Sequence, residues 1–71
     1  MNEPLPTLVE HSLQIAWDFL ERSGEISDAG EASRFLLTTI NDIVLRGERR
    51  KLLVSNRAID AYRRHKQSLA A

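Results

Sequence analysis

Three arginines in the last third of the chain, Arg50, Arg57 and Arg64, follow one another at intervals of seven residues. On a continuous helix this spacing places them in a row about 10 Å apart, since a helix rises about 1.5 Å per residue. Such a row can contact the phosphates of a nucleic acid or the carboxylates of another acidic partner. The neutral net charge of the chain weakens the nucleic-acid interpretation, and an ordinary solvated basic face is the simpler alternative.

A second nucleic-acid hypothesis starts from Gly47, which lies between two predicted helices. A glycine often occupies the turn of a DNA-binding helix-turn-helix, whose second helix reads the DNA. Aligning Gly47 with that turn places the charged Asp42 close to a position that should be apolar. We therefore rank this hypothesis below the arginine row.

Catalysis, cofactor binding and metal binding lack candidate residues. Asp18 and Glu21 share a helical face and could form a carboxylate pair for acid or base chemistry, but they fall on the predicted solvent side. His11 and His65 are far apart in sequence and lie among polar neighbours, which is typical of isolated surface histidines. The chain has no cysteine, which excludes disulfides and thiolate zinc sites. We expect no enzyme activity, cofactor, metal or small-molecule substrate.

The first predicted helix begins at Thr7, which forms a capping box with Glu10, because Pro4 and Pro6 keep the preceding residues extended. It ends at Gly24, since glycine adopts the left-handed conformation without steric cost. Apolar side chains recur at helical spacing over a wide arc. The centre of this arc consists of Val9, Leu13, Ala16 and Leu20, and its flanks consist of Leu8, Ile15, Trp17 and Phe19.

The second predicted helix begins after Asp28, with Ser27 as a competing cap, and runs to about Arg46. Gly47 is the expected terminator. Its apolar arc is also wider than an ordinary amphipathic stripe, and the side chains on it include Phe35, Leu36, Leu37, Ile40, Ile43 and Val44. So wide an arc must contact more than one neighbour.

The third predicted helix extends from Glu48 to about Gln67. One continuous helix places Leu52 on the apolar side and leaves Leu53 on the polar side. Ser55 is an acceptable N-cap, so the segment before it could instead be a short turn that leads into a separate helix. We favour one helix, with a distortion near residues 53–55.

Three helices with short loops predict an all-α fold, a small three-helix bundle in which neighbours in sequence pack antiparallel. The domain organisation that we expect is an extended segment over residues 1–6, a single domain over 7–67 and a frayed tail over 68–71. Length permits one domain, whose core contributes about 3–5 kcal/mol of net stability. Self-association is one way to add to that stability.

Charge is sorted along the chain. Residues 1–45 carry eight acids and two arginines, whereas residues 46–71 carry eight bases and two acids, so the two parts have net charges of −6 and +6. Such sorting lets the two ends attract each other within one molecule or between molecules. The N-terminus has neither a basic region nor a long apolar stretch, so we expect neither a secretory signal nor a membrane span, and a cytoplasmic location.

The two wide apolar arcs exceed what the narrower apolar arc of the third helix can cover. Surplus apolar surface usually marks an interface. We therefore predict a non-catalytic protein–protein interaction module that forms a homodimer or binds another protein, with nucleic acid as the alternative partner. The residues predicted to form the interface are Trp17, Phe35, Leu37, Val44 and Leu45. Those predicted to bind an acidic partner are Arg50, Arg57 and Arg64.

Overall fold

Three helices form the described part of the chain. The computed structural model describes residues 4–70, which contain α1 (Leu5–Arg22), α2 (Ala29–Leu45) and α3 (Lys51–Ala70). Each helix contacts the other two, and residues 4–70 contain no strand. The prediction of an all-α, small three-helix bundle with short loops is confirmed.

Helices that follow one another in sequence run antiparallel, as predicted. Leu5 and Leu45 line one groove, so the start of α1 lies beside the end of α2. Phe35 contacts Tyr62 and His65, so the start of α2 lies beside the end of α3. α1 and α3 consequently run in the same direction.

α1 begins at Leu5, two residues before the predicted start at Thr7. Pro4 is the N-cap, and its carbonyl accepts a hydrogen bond from the N–H four residues further on. Pro6 fits the first turn because the N–H that proline lacks has no acceptor there within the helix. The predicted capping box is therefore wrong, and residues 5 and 6 are helical. Residues 1–3 of the predicted extended segment lie outside the described residues.

The predicted stop signals and the cap of α2 are confirmed. Gly24 and Gly47 have φ angles of +71° and +117°, which a residue with a side chain rarely adopts. The carboxylate of Asp28, and not the hydroxyl of Ser27, accepts a hydrogen bond from the Glu31 N–H at 3.0 Å. These local signals set the loops that reverse the chain.

α3 is one uninterrupted helix, as favoured from the sequence, but it begins at Lys51 and not at the predicted Glu48, and it is helical through residues 53–55, where a distortion was predicted. Ser55 is not an N-cap, because it lies inside the helix, where its hydroxyl donates to the Lys51 carbonyl oxygen at 2.8 Å and lies 3.4 Å from the Ser12 carbonyl oxygen. The segment after Gly47 contains neither glycine nor proline to end the helix, which continues to residue 70. The predicted frayed tail is thus helical over residues 68–70, and residue 71 lies outside the described part.

Buried apolar side chains from all three helices form the core, namely Leu8, Ala16, Leu20, Ala32, Leu36, Ile40, Val44, Val54, Ala58, Ile59 and Tyr62. Val9 and Leu13, predicted at the centre of the first apolar arc, are instead half-buried on its flank. The buried stripe of α1 instead consists of Leu8, Ser12, Ala16 and Leu20, and the Ser12 carbonyl oxygen on it lies 3.4 Å from the Ser55 hydroxyl oxygen of α3.

Helical-wheel position misassigns two leucines near the start of α3. Leu52, predicted on the apolar side, is 69% exposed. Leu53, predicted on the polar side, is half-buried. The first turn of a helix has fewer packing neighbours than its middle, so the wheel alone is a poor guide there.

Candidate functional site

α1 and α2 together form a continuous, partly open apolar face. It consists of two adjoining grooves of about 500 and 460 Å³ that are lined by residues of these two helices, and Glu10 and Leu13 line both grooves. Its main apolar side chains are Leu5, Val9, Leu13, Trp17, Leu37 and Leu45. We call this surface the α1/α2 face.

The α1 half of the face arises because α1 carries two parallel stripes. One stripe is buried and consists of Leu8, Ser12, Ala16 and Leu20. The other recurs at the same four-residue interval and consists of Leu5, Val9, Leu13 and Trp17. Side chains four residues apart are neighbours on a helix surface. The second stripe therefore forms a continuous apolar edge beside the buried one.

On the α2 side, Leu37 and Leu45 are exposed and Val44 is buried between α1 and α2. The exposed fractions of Leu37 and Leu45 are 41% and 77%, whereas that of Val44 is 1%. Val44 also borders the groove, so it forms its floor. We therefore correct the prediction for Val44, because a buried core side chain cannot insert into a partner.

The two predicted aromatic interface residues lie on different sides of the molecule. Trp17 is half-buried and lines the second groove. Phe35 packs between α2 and α3, where its ring centroid lies 5.9 Å from that of Tyr62 and 4.4 Å from that of His65. Phe35 is thus engaged within the chain and lies off the α1/α2 face, and His65 is not an isolated surface histidine.

Arg50 does not continue the predicted arginine row, because it precedes α3 and forms an ion pair with Glu48. Its Nε and Nη2 donate to the two carboxylate oxygens of Glu48 at 3.0 and 3.3 Å. The same carboxylate accepts the backbone N–H groups of Arg49 and Arg50 at 3.1 and 3.0 Å. The hydrogen bond from the Arg50 side chain contributes most to lowering the pKa of Glu48 to about 2.

Arg57 and Arg64 remain exposed on α3, two helical turns apart. Arg57 borders a polar depression of about 350 Å³ whose other lining residues include Asp42, Arg46 and Glu48. Asp42 and Glu48 oppose the approach of a phosphate there. The structure therefore leaves two members of the row free of the Glu48 contact and places carboxylates beside one of them.

Contacts between the acidic and basic parts of the chain occur within one molecule. The Arg63 guanidinium donates to both carboxylate oxygens of Glu25, at 2.9 and 2.8 Å, and lies 5.2 Å from the centroid of the Phe19 ring. The hydrogen bond from Arg63 is the main cause that lowers the pKa of Glu25. The Lys66 ammonium donates to the Ser27 hydroxyl at 2.7 Å. α3 thereby holds the loop between α1 and α2.

The remaining candidates for acid–base chemistry or metal binding are Asp18, Glu21 and His11. Asp18 and Glu21 are exposed, and Nδ1 of His11 lies 3.4 Å from Nζ of Lys51. Within residues 4–70, no three histidine, aspartate or glutamate side chains lie close enough together to bind a metal ion. Across the same residues, none of the helices combines the length and apolar character needed to cross a membrane.

Sequence reasoning missed Leu5, Val9 and Leu13 as surface residues. Leu5 was missed because the first helix was expected to begin later, and Val9 and Leu13 were placed at the centre of its apolar arc. The available signal was the regular four-residue spacing of Leu5, Val9, Leu13 and Trp17.

No family model matches the chain, and neither the curated proteins nor the solved structures contain a match.

Proposed function

We propose that this chain is a non-catalytic helical protein–protein interaction module of the cytoplasm that forms a homodimer through its α1/α2 face. One observation carries the proposal: one stripe of α1 is buried in the core, while a parallel stripe of larger side chains stays partly open beside Leu37 and Leu45. Isolated exposed leucines are common, but a continuous apolar face with a polar rim is typical of an interaction surface.

The size of the face is typical of a transient interface. α1 has 18 residues and is therefore about 27 Å long at about 1.5 Å per residue. Two such helices side by side, each roughly 10 Å wide, offer an area of about 500 Å² per copy. Standard interfaces bury about 800 Å² per partner, and transient ones bury less. We therefore expect a reversible dimer with a dissociation constant in the micromolar range.

A second copy is the occupant that the charges favour. The rim of the face on α1 carries Glu10 and Asp18, whereas Arg34 lies on the outer edge of α2. A surface with acids on one edge and a base on the other can be complementary to itself. Twofold dimers are also the commonest closed assemblies.

Size-exclusion chromatography with light scattering, run over micromolar to submillimolar concentrations, tests the proposal. The wild-type mass should rise from monomer to dimer across this range. Leu45→Glu should keep the protein monomeric, because it places a charge in the apolar face at a position whose exposure makes the cost to folding small. Leu37→Asp should have the same effect.

Leu52→Glu is the matched control, because Leu52 is similarly exposed but lies on α3, off the α1/α2 face. This variant should dimerise like the wild type. A wild-type protein that stays monomeric throughout the range contradicts the proposal. Equal loss of dimer in Leu45→Glu and Leu52→Glu would show that the α1/α2 face is not the interface.

Nucleic acid is the second candidate partner, and the exposure of Arg57 and Arg64 on one helix favours it. Fluorescence anisotropy with duplex and single-stranded probes over a salt series decides this alternative. Binding by counterion release should weaken steeply with salt, and the Arg57→Ala, Arg64→Ala double variant should flatten that dependence. An absence of binding at low salt excludes it.

A further inference from the structure

The two edges of the α1/α2 face carry opposite charges. On α1, Glu10, Gln14 and Asp18 follow at intervals of four residues and form one polar edge. On α2, Arg34 lies seven residues before Asn41 and eleven before Leu45, so it shares the edge that these two groove residues occupy. Arg34 is exposed. The acidic edge of α1 and the α2 edge that carries Arg34, here called the basic edge, therefore lie on opposite sides of one apolar surface.

Asp18 and Arg34 also lie at the same height along the bundle. Trp17 and Asp18 line one groove with Ser33, the residue before Arg34. At the other end of the face, Leu5 shares a groove with Leu45. The antiparallel packing of α1 and α2 therefore fixes the height of Asp18 close to that of Arg34.

Two twofold arrangements can bury the face against itself. A twofold axis across the helices lays α1 on α1 of the other copy, and this brings the two acidic edges together. An axis parallel to the helices lays α1 on α2 of the other copy and keeps every residue at its own height. The second arrangement brings each acidic edge to a basic edge, whereas like charges placed together oppose association.

We propose that two copies associate about an axis parallel to α1 and α2, so that Asp18 of each copy pairs with Arg34 of the other. This inference rests on the proposed function, because it assumes that the α1/α2 face is the dimer interface. At the interface, α1 of each copy then packs antiparallel on α2 of the other copy. The pair occurs twice, so a change at either residue acts twice per dimer.

Charge exchange tests this arrangement by sedimentation equilibrium of the purified full chain. Asp18→Arg places two arginines opposite each other, and Arg34→Asp places two aspartates opposite each other. Each variant alone should associate about tenfold more weakly than the wild type. An equimolar mixture should restore association, because the heterodimer contains two opposite-charge pairs. The double variant with both exchanges should also dimerise like the wild type.

Asp60→Arg and Arg64→Asp are the matched controls, because both residues are exposed on α3 and the net charge changes equally. They should leave the wild-type dissociation constant within about twofold. Circular dichroism confirms that each variant keeps its helical content. If the wild type dimerises and the mixture restores nothing, the parallel-axis arrangement is wrong while the proposed function stands. A monomeric wild type overturns both.

Discussion

The two sides of α1 differ in the size of their side chains and in how completely they are covered. On its buried stripe α1 presents the small side chains of Ser12 and Ala16, and the Ser12 carbonyl oxygen lies 3.4 Å from the hydroxyl oxygen of Ser55 on α3, which also buries Ala58. We call this contact the α1/α3 seam. Towards α2 and solvent, α1 presents the larger side chains of the α1/α2 face, which remain partly open. Small residues let two helices close on each other, whereas the large residues keep a groove that a partner can fill.

The largest expected effect comes from adding volume to the α1/α3 seam. Ala16 is fully buried, so Ala16→Leu should destabilise the fold by about 1–3 kcal/mol through overpacking. Thermal unfolding followed by circular dichroism should show a Tm at least about 5 °C lower for a domain of this size.

Ser33→Leu is the control for that change, because it adds a leucine on the exposed side of the α1/α2 face. Its free energy of unfolding should stay within about 0.5 kcal/mol of the wild type at equal protein concentration. Equal losses at both positions would mean that the face is as tightly packed as the seam.

A smaller effect of opposite sign is expected from Ser12→Ala. The Ser12 hydroxyl is buried and has no hydrogen-bond partner among residues 4–70. An unsatisfied buried hydroxyl is costly, so its removal should stabilise the fold by about 1 kcal/mol more than Ser33→Ala does at an exposed helical site. Urea denaturation of both variants measures the difference, and a net loss of stability in Ser12→Ala would contradict this view of the seam.

The smallest effect is the pH dependence of stability that arises at the start of α3, the helix on one side of the α1/α3 seam. Because the pKa of Glu48 is lowered to about 2, its contribution to stability is fully present above the ordinary value of 4.5. That contribution is lost as the pH falls from about 4.5 towards 2. NMR titration of the Glu48 carboxyl should give the low pKa, and Arg50→Ala should raise it. A Glu48 pKa near 4.5 in the wild type would show that the Arg50 contact does not form in solution.

Helix number and loop position were predictable because their signals are local. Asp28 needs only its own side chain and the N–H of Glu31 to cap α2. Gly24 and Gly47 terminate helices because their φ angles favour glycine, whatever packs nearby. The start of α1 was mistaken because two local signals compete, and Pro6 is as compatible with a first helical turn as Thr7 is with a cap.

Predictions about single side chains failed where a contact outside the helical pattern decided the outcome. Phe35 was predicted to bind a partner, but its ring packs against Tyr62 and His65 of α3. Arg50 matched the seven-residue spacing, yet the nearby Glu48 carboxylate binds it before the helix begins. A helical wheel shows only the angular positions of residues on one helix, so it reveals neither of these contacts.

The amino-acid sequence by itself determined that this chain forms three amphipathic helices with glycine-terminated turns, since these features depend on neighbouring residues and on the period of the apolar positions. Only the tertiary structure decided which apolar stripe of α1 is buried. That choice depends on contacts between helices, such as the one that places the Ser55 hydroxyl of α3 3.4 Å from the Ser12 carbonyl oxygen, 43 positions away in sequence. The apolar surface left open beside it is therefore a property of the packed bundle and not of any one helix.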